Sequence, residues 1–211
     1  MIPLEDDKNH VMKNIKTLND ENVHLLQGRN RAITEPILSN ESIPPFDNTA
    51  VDGYAVKAID TKGATQETPI SLTVLETIAA GKPPTFAIQS GECSKIMTGA
   101  PIPDGADAVV MVERTEQQEN GSVVAIEEEV SKGQHIRRSG EDLEPGDLVI
   151  PQGTILNAAH LGLLASLGIY QITTVRIPTV GVFSTGDELI EGSQELKPGQ
   201  IRDSNRFSLL A

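Results

Sequence analysis

Four stretches of the chain concentrate residue types that suit chemistry on anions. PPFDNTAVDGYAV (residues 44–56) sets Asp47 and Asp52 among prolines and small residues, with more restricted and charged positions than a turn requires. KIMTGAP (95–101) places the Thr98 hydroxyl beside the Gly99 amide where a strand is predicted to end. A hydroxyl and a freed backbone N–H can form a small nest for a tetrahedral oxyanion. HIRRSGED (135–142) crowds Arg137, Arg138, Glu141 and Asp142 around one glycine, and arginine is the side chain suited to bidentate phosphate or carboxylate recognition. GDEL (186–189) puts Asp187 and Glu188 at what reads as the carboxyl end of a buried parallel strand, the edge where open α/β sheets gather ligands. Carboxylates there suit Mg²⁺, which takes one or two of them and completes its shell with water and substrate phosphate. Each stretch also has a plainer reading: Asp-Gly as a turn, Thr98-Gly99 as a strand-ending turn, Glu188 as a helix-start charge, the arginines as a solvated face.

Other chemistries are excluded. The chain has no GxSxG elbow, no GxxxxGK[ST] loop and no HExxH helix. His10, His24, His135 and His160 lie far apart, without ligand-spaced partners. Cys93 is the single cysteine, so neither an internal disulfide nor a multi-thiolate metal site can form. That cysteine usage fits a reducing compartment and a cytoplasmic location. The net charge of −13, from 30 acidic and 17 basic residues, disfavours nonspecific nucleic-acid binding, which requires a basic face. The start of the chain lacks a positive segment followed by an apolar run, and no apolar stretch approaches the ~20 residues that span a bilayer. Acids without a thiol or paired histidine leave phosphate, metal-ion or oxyanion chemistry.

The elements that position these residues predict an α+β, β-rich chain. Residues 5–18 read as a helix with Val11, Ile15 and Leu18 on one face, and PILSNESIPPFD reads as extended. ISLTVLETI (70–78) alternates and is rich in β-branched residues. Asn120-Gly121, between two apolar runs, signals a hairpin. Gly133, Gly140, Gly146 and Gly153 read as turns. NAAHLGLLASLG predicts a helix capped by Asn157 and stopped at Gly168. IYQITTVRI and PTVGVFSTGDEL read as strands, the second of the type buried on both faces, and a helix is predicted to begin at Asp203 or Ser204.

PPFDNTAVDGYAV, KIMTGAPIPDGADAVV, GQHIRRSGEDL and GVFSTGDEL, in this order and spacing, resemble the MoeA family of molybdenum insertases, to which a domain of the animal receptor-clustering protein gephyrin is related. The similarity runs from about residue 20 to the end and includes QIRDSNRFSLLA. The resemblance implies insertion of molybdenum from molybdate into adenylyl-molybdopterin, aided by Mg²⁺ or a similar ion, with release of AMP. It implies Asp52, Thr98, Asp142 and Glu188 as catalytic residues. Thr98, Gly99, Arg137, Arg138, Ser184, Thr185 and Gly186 are implied to bind the cofactor substrate, and Glu188 with Asp187 the metal.

It also implies an elongated modular architecture: a split linker domain (1–48 and 140–175), an inserted β-rich domain (49–139), and the start of an α/β molybdopterin-binding domain (176–211). Family members are homodimers whose active site joins the third domain of one subunit to the second domain of the other, and a molybdopterin-adenylating protein is the upstream partner. The family's further cofactor-binding segments do not follow Ala211, so the chain alone is expected to be inactive. A non-catalytic scaffold module of the same family is the alternative, against which the presence of all four acid and hydroxyl positions speaks. Residues 176–211 are expected to pair with another chain or to be mobile.

Overall fold

The β-branched runs in the middle of the chain pair into a six-stranded mixed sheet in the computed structural model, which describes residues 2–211. Across the sheet the strands run Ala108–Met111, Gly53–Val56, Glu92–Ile96, Ile70–Ile78, Val123–Ile126 and Thr115–Gln118. Ile70–Ile78 and Glu92–Ile96 are parallel, and every other neighbouring pair is antiparallel. The alternating stretch ISLTVLETI thus forms a strand over its whole predicted length. The hairpin at Asn120-Gly121 is also present. Thr115–Gln118 and Val123–Ile126 pair across a tight connection, with φ of 46° at Glu119, 56° at Asn120 and 90° at Gly121.

Successive side chains of Gly53–Val56 point to opposite faces of the sheet, and both faces are covered. Tyr54 and Val56 pack with Leu72, Cys93, Val110, Val124 and Ile126. Ala55 packs with Ile78, Ile96 and Val109 on the other side. Burying each large aliphatic side chain of this kind contributes about 2 kcal/mol. The Tyr54 hydroxyl, buried with its ring, accepts a hydrogen bond from the Gln117 side chain at 2.9 Å. Gly53 is where two strands approach too closely for any other residue, since a Cβ there would lie 2.0 Å from the Val110 carbonyl oxygen. Cys93 is fully buried among these apolar neighbours, and burial pushes its thiol up to about 12.

The chain divides into two compact units, each discontinuous in sequence. One comprises Glu35–Gln152 and Gly162–Ile169 and holds the six-stranded sheet. The other comprises the stretch through Thr34, Gly153–Leu161 and Tyr170–Ala211. Residues 49–139, expected as an inserted domain, all lie in the first of these units, and residues 176–211 lie in the other. In the second unit Asp20–His24 pairs antiparallel with Gln171–Val175, and Val23, Leu25, Ile33, Leu156 and Ile172 are buried.

Helix Ala158–Ser166 follows its sequence signals. The Asn157 side-chain oxygen accepts from the His160 amide at 3.0 Å. At the other end the Ile169 amide reaches the Leu164 carbonyl and the Gly168 amide reaches Ala165, the paired bonds of a glycine-stopped helix. The amino-terminal helix is shorter than predicted: it spans Leu4–Asn14, buries no residue, and passes at Ile15 into extended backbone. With Ile15 and Leu18 exposed, no packing sustains a further turn, and short helices hold only when tertiary contacts support them.

A second correction concerns PTVGVFSTGDEL. Residues 176–188 contain no strand, Val180 is 72% exposed and Phe183 90%. An apolar segment without a neighbouring strand has no partner for its amides and carbonyls, so composition alone does not make it extended. The segment ends in a short parallel pair, Leu189–Ile190 with Ile201–Arg202, followed by helix Asn205–Leu210.

Gly53→Ala is expected to lower unfolding stability by about 2 kcal/mol or more, because the clash is with backbone that no rotamer change can move. A urea midpoint equal to that of the parent would show that the two strands separate at no cost.

Candidate functional site

Asn48–Thr49 is a strip of only two residues, yet it holds three of the four chemically rich stretches together. On one side it pairs antiparallel with Ile136–Arg137, in the register Thr49↔Ile136 and Asn48↔Arg137. On the other, the Thr49 amide donates to the Ala100 carbonyl at 3.1 Å and the Thr49 carbonyl accepts from the Gly99 amide at 2.9 Å. The flanking loops add more links. The Ile102 amide donates to the Asp47 carbonyl, Gly140 to Pro44, and Asp142 to Ile43, all within 3.0 Å. Strip, Thr98 turn and arginine loop are therefore one hydrogen-bonded assembly.

Asp52 stands at the end of this loop, exposed, where the chain enters the sheet at Gly53. Its Oδ1 accepts two hydrogen bonds from one residue, the Thr98 amide and the Thr98 hydroxyl, each at 2.7 Å. The amide bond first and the hydroxyl bond second hold the Asp52 carboxyl below the usual carboxylate range, with a smaller pull from Lys95. The expected oxyanion nest at Thr98-Gly99 is thus not open. Both Thr98 donors face Asp52, and the Gly99 amide is spent on Thr49. Gly99 has φ of +80°, the conformation that turns its amide back onto the strip.

The arginines are likewise engaged within the chain. Arg137 Nη2 lies 2.5 Å from Asp142 Oδ2, and Arg138 Nη1 lies 2.5 Å from Asp47 Oδ2. Asp47 Oδ1 accepts from the Ser139 amide at 2.8 Å. That amide, and then the Arg138 guanidinium, hold the Asp47 carboxyl below its ordinary range. The Glu141 carboxylate accepts from the Arg138 amide at 3.0 Å. Sequence reasoning noticed Asp47 but gave it no task; its proline-flanked position beside an arginine-rich loop was the available signal.

Ser184, Thr185, Gly186, Asp187 and Glu188 belong to the other unit, and all five are exposed. Because no strand precedes them, Asp187 and Glu188 form the turn that opens Leu189–Ile190, instead of ending a long buried strand. Two cavities of about 330 Å³ flank this segment. Ser184 and Gly186 line one with Glu191 and Arg206; Thr185 and Glu188 line the other with Arg202 and Asn205. Asp203, nearly buried, borders both. The Ser184 side chain, and then the Arg206 amide at 3.1 Å and the Arg206 charge, hold its carboxyl below the usual range. Asp203, rather than Ser204, supplies the side-chain cap of the last helix. Sequence reasoning saw it only as a helix start.

Among the described residues no three His, Cys, Asp or Glu side chains converge as a ready metal cage. Adjacent exposed carboxylates at Asp187 and Glu188 still match what Mg²⁺ asks of a protein when water and substrate phosphate fill the rest of its shell. No helix among these residues is long and apolar enough to cross a membrane.

A family model described as the MoeA N-terminal region (domain I and II) matches residues 2–168. Molybdopterin molybdenumtransferase 2 of Mycobacterium tuberculosis (strain ATCC 25618 / H37Rv) is 44% identical over 191 residues, 90% of this chain and 46% of that protein. The molybdopterin molybdenumtransferase of Bacillus subtilis (strain 168) is 37% identical over 212 residues, covering 100% of this chain and 49% of that protein. The crystal structure of the molybdopterin biosynthesis moeA protein from Pyrococcus horikoshii OT3 superposes with a TM-score of 0.86 at 36% identity, covering 99% of this chain and 55% of that one. The chain spans about half the length of the relatives it matches.

The Asp52–Thr98 contact has a pH signature. A carboxyl lowered in the folded state adds stability that is present above the unfolded value of about 3.9 and is lost as pH falls through the folded value. Thr98→Val removes the hydroxyl donor but keeps the amide, so the Asp52 carboxyl should titrate at higher pH than in the parent yet still below an ordinary aspartate. Carboxyl-carbon NMR reads this directly, and an Asp52 that titrates identically in both proteins would rule out the hydroxyl's share.

Proposed function

Because the chain belongs to the MoeA N-terminal family, we propose that it acts in molybdenum cofactor biosynthesis as part of a molybdopterin molybdenumtransferase. The reaction is transfer of molybdenum from molybdate into adenylyl-molybdopterin, with release of AMP. The observation that carries this reading is the single assembly built on Asn48–Thr49, which holds Asp52, Thr98, Arg137 and Asp142 in fixed relation. A protein whose loops served only to turn the chain has no use for two carboxylates, Asp52 and Asp142, each fixed in direction by a neighbouring donor at an exposed rim.

Asp52 enters the reaction as a carboxylate. Both Thr98 donors sit on Oδ1, which orients the group and leaves Oδ2 as an acceptor for a water molecule or a bound substrate. Thr98 is then the residue that sets the charge and direction of Asp52. Asp142, oriented by Arg137, is the second oriented acid. Ser184, Thr185 and Gly186 border cavities of a size suited to a cofactor-like ligand and supply its hydroxyl and main-chain contacts. Asp187 and Glu188 are the carboxylates that would hold Mg²⁺, which supplies Lewis-acid polarisation of a phosphoanhydride. We take the working form to be a cytoplasmic homodimer that receives its substrate from a molybdopterin-adenylating protein.

The test is chromatographic detection of AMP from adenylyl-molybdopterin supplied with molybdate and Mg²⁺, using the polypeptide encoded by the full reading frame. Release should depend on molybdate and fall about a hundredfold or more in Asp52→Asn and in Glu188→Gln. AMP release unchanged in both variants would refute the assignment of these acids.

A further inference from the structure

The residues assigned to the reaction make no use of a cavity of about 320 Å³ lined by Pro84, Thr85, Phe86, Ala87, Ile102 and Asp104. Both of its walls are held by hydrogen bonds. The Glu76 carboxylate accepts from the Thr85 amide at 2.8 Å and from the Phe86 amide at 3.0 Å. Glu76 reaches that loop from a bulge. Val74 pairs with Cys93 and Thr77 with Lys95, so its strand carries one residue more than the partner there, which re-aims a side chain. The walls are also fixed against each other. The Ile88 amide donates to the Asp104 carbonyl at 2.8 Å, and a Cβ at Gly105 would lie 2.3 Å from the Ile88 carbonyl oxygen. The second wall continues into the strip that carries the acids: Asn48 bridges Pro101, and the Ile102 amide donates to the Asp47 carbonyl.

In this frame Phe86 is 52% exposed, and among the described residues its ring meets no other ring. Ile102, half-buried against the cluster of Ala55, Ile78 and Val109, adds apolar surface. The Asp104 carboxylate is exposed and has no partner among the described residues. An open aromatic face favours a flat ring, and a free carboxylate favours N–H donors on its edge. A 2-amino-4-oxopyrimidine carries two such donors side by side, the 2-amino group and N3–H. The same carboxylate repels phosphate, so the anionic end of a substrate is disfavoured here. The volume, at the small end for ligand pockets, suits one ring system rather than a whole nucleotide. We propose that this cavity seats the pterin ring of the substrate, with Phe86 stacked on its face and Asp104 accepting its 2-amino and N3 hydrogens. The inference rests on the insertase reading only for the identity of the pterin's bearer.

The 211-residue chain is titrated with 6-hydroxymethylpterin, with 6-hydroxymethyllumazine, which has an oxygen in place of the 2-amino group, and with AMP. Binding is followed through the Phe86 ring protons and the Ala87 amide by NMR. We expect the pterin to shift both and to bind about tenfold tighter than the lumazine. Phe86→Ala should weaken pterin binding about tenfold, while Phe86→Trp should preserve it. Asp104→Asn should bring the pterin and the lumazine to equal affinity. Both side chains are exposed, so these variants are expected to fold, and Phe86→Leu replaces the alanine variant should it not. No shift at Phe86 with the pterin, a pterin preference that survives Asp104→Asn, or a larger response to AMP than to the pterin overturns the proposal. AMP release is not read in this experiment, so failure here leaves the insertase assignment standing, and failure of that assignment leaves the pterin seat standing.

Discussion

Main-chain hydrogen bonding on both sides of Asn48–Thr49 is the constraint on which the arrangement of the candidate site depends. A strip two residues long buries little apolar surface of its own. Its worth lies in its amides and carbonyls, which reach the Thr98 turn on one side and the arginine loop on the other. Asn48 and Thr49 are both buried, so an unpaired group there would carry the full cost of desolvation. The strip therefore sits in one place or not at all, and the loops that contact it share that property. The sheet behind it supplies rigidity through Gly53–Val56, buried on both faces.

Two acids, Asp47 and Asp52, are held ionised by hydrogen bonding and by neighbouring charge, not by any unusual depth. Asp47 and Asp52 remain open to water, and donors aimed at the charged form hold each below its ordinary range. This arrangement differs from a buried catalytic carboxyl, whose environment pushes it towards the neutral form. It suits a role that requires a permanent negative charge in a defined direction. The arginines take the complementary part: each orients a carboxylate of its own chain.

Much of this was legible in the sequence, and the failures share one cause. Period-two alternation marked Ile70–Ile78, Asn-Gly marked the hairpin, and Asn157 with Gly168 marked both ends of a helix, because each signal acts through local backbone geometry. The candidate residues stand out in the sequence by their types. What their side chains bind does not: the Thr98-Gly99 turn looked like an open nest, and only the fold shows its donors consumed by Asp52 and Thr49. The apolar run before Gly186 has a strand's composition, but strand formation depends on a partner that composition cannot supply. Asp47 and Asp203 were underrated for a similar reason, since their partners lie 91 residues away in one case and in a segment read as buried sheet in the other.

The lone cysteine has a practical side. Cys93 lies inside the sheet with its thiol held protonated at ordinary pH, its sulfur 3.5 Å from the Thr73 carbonyl oxygen. Since the thiolate is the reactive form, the folded chain is silent towards maleimides and other sulfhydryl labels. A cysteine introduced on any exposed loop would then be the sole point of attachment for a fluorophore or spin label, with no need to remove the native one and disturb the core around it.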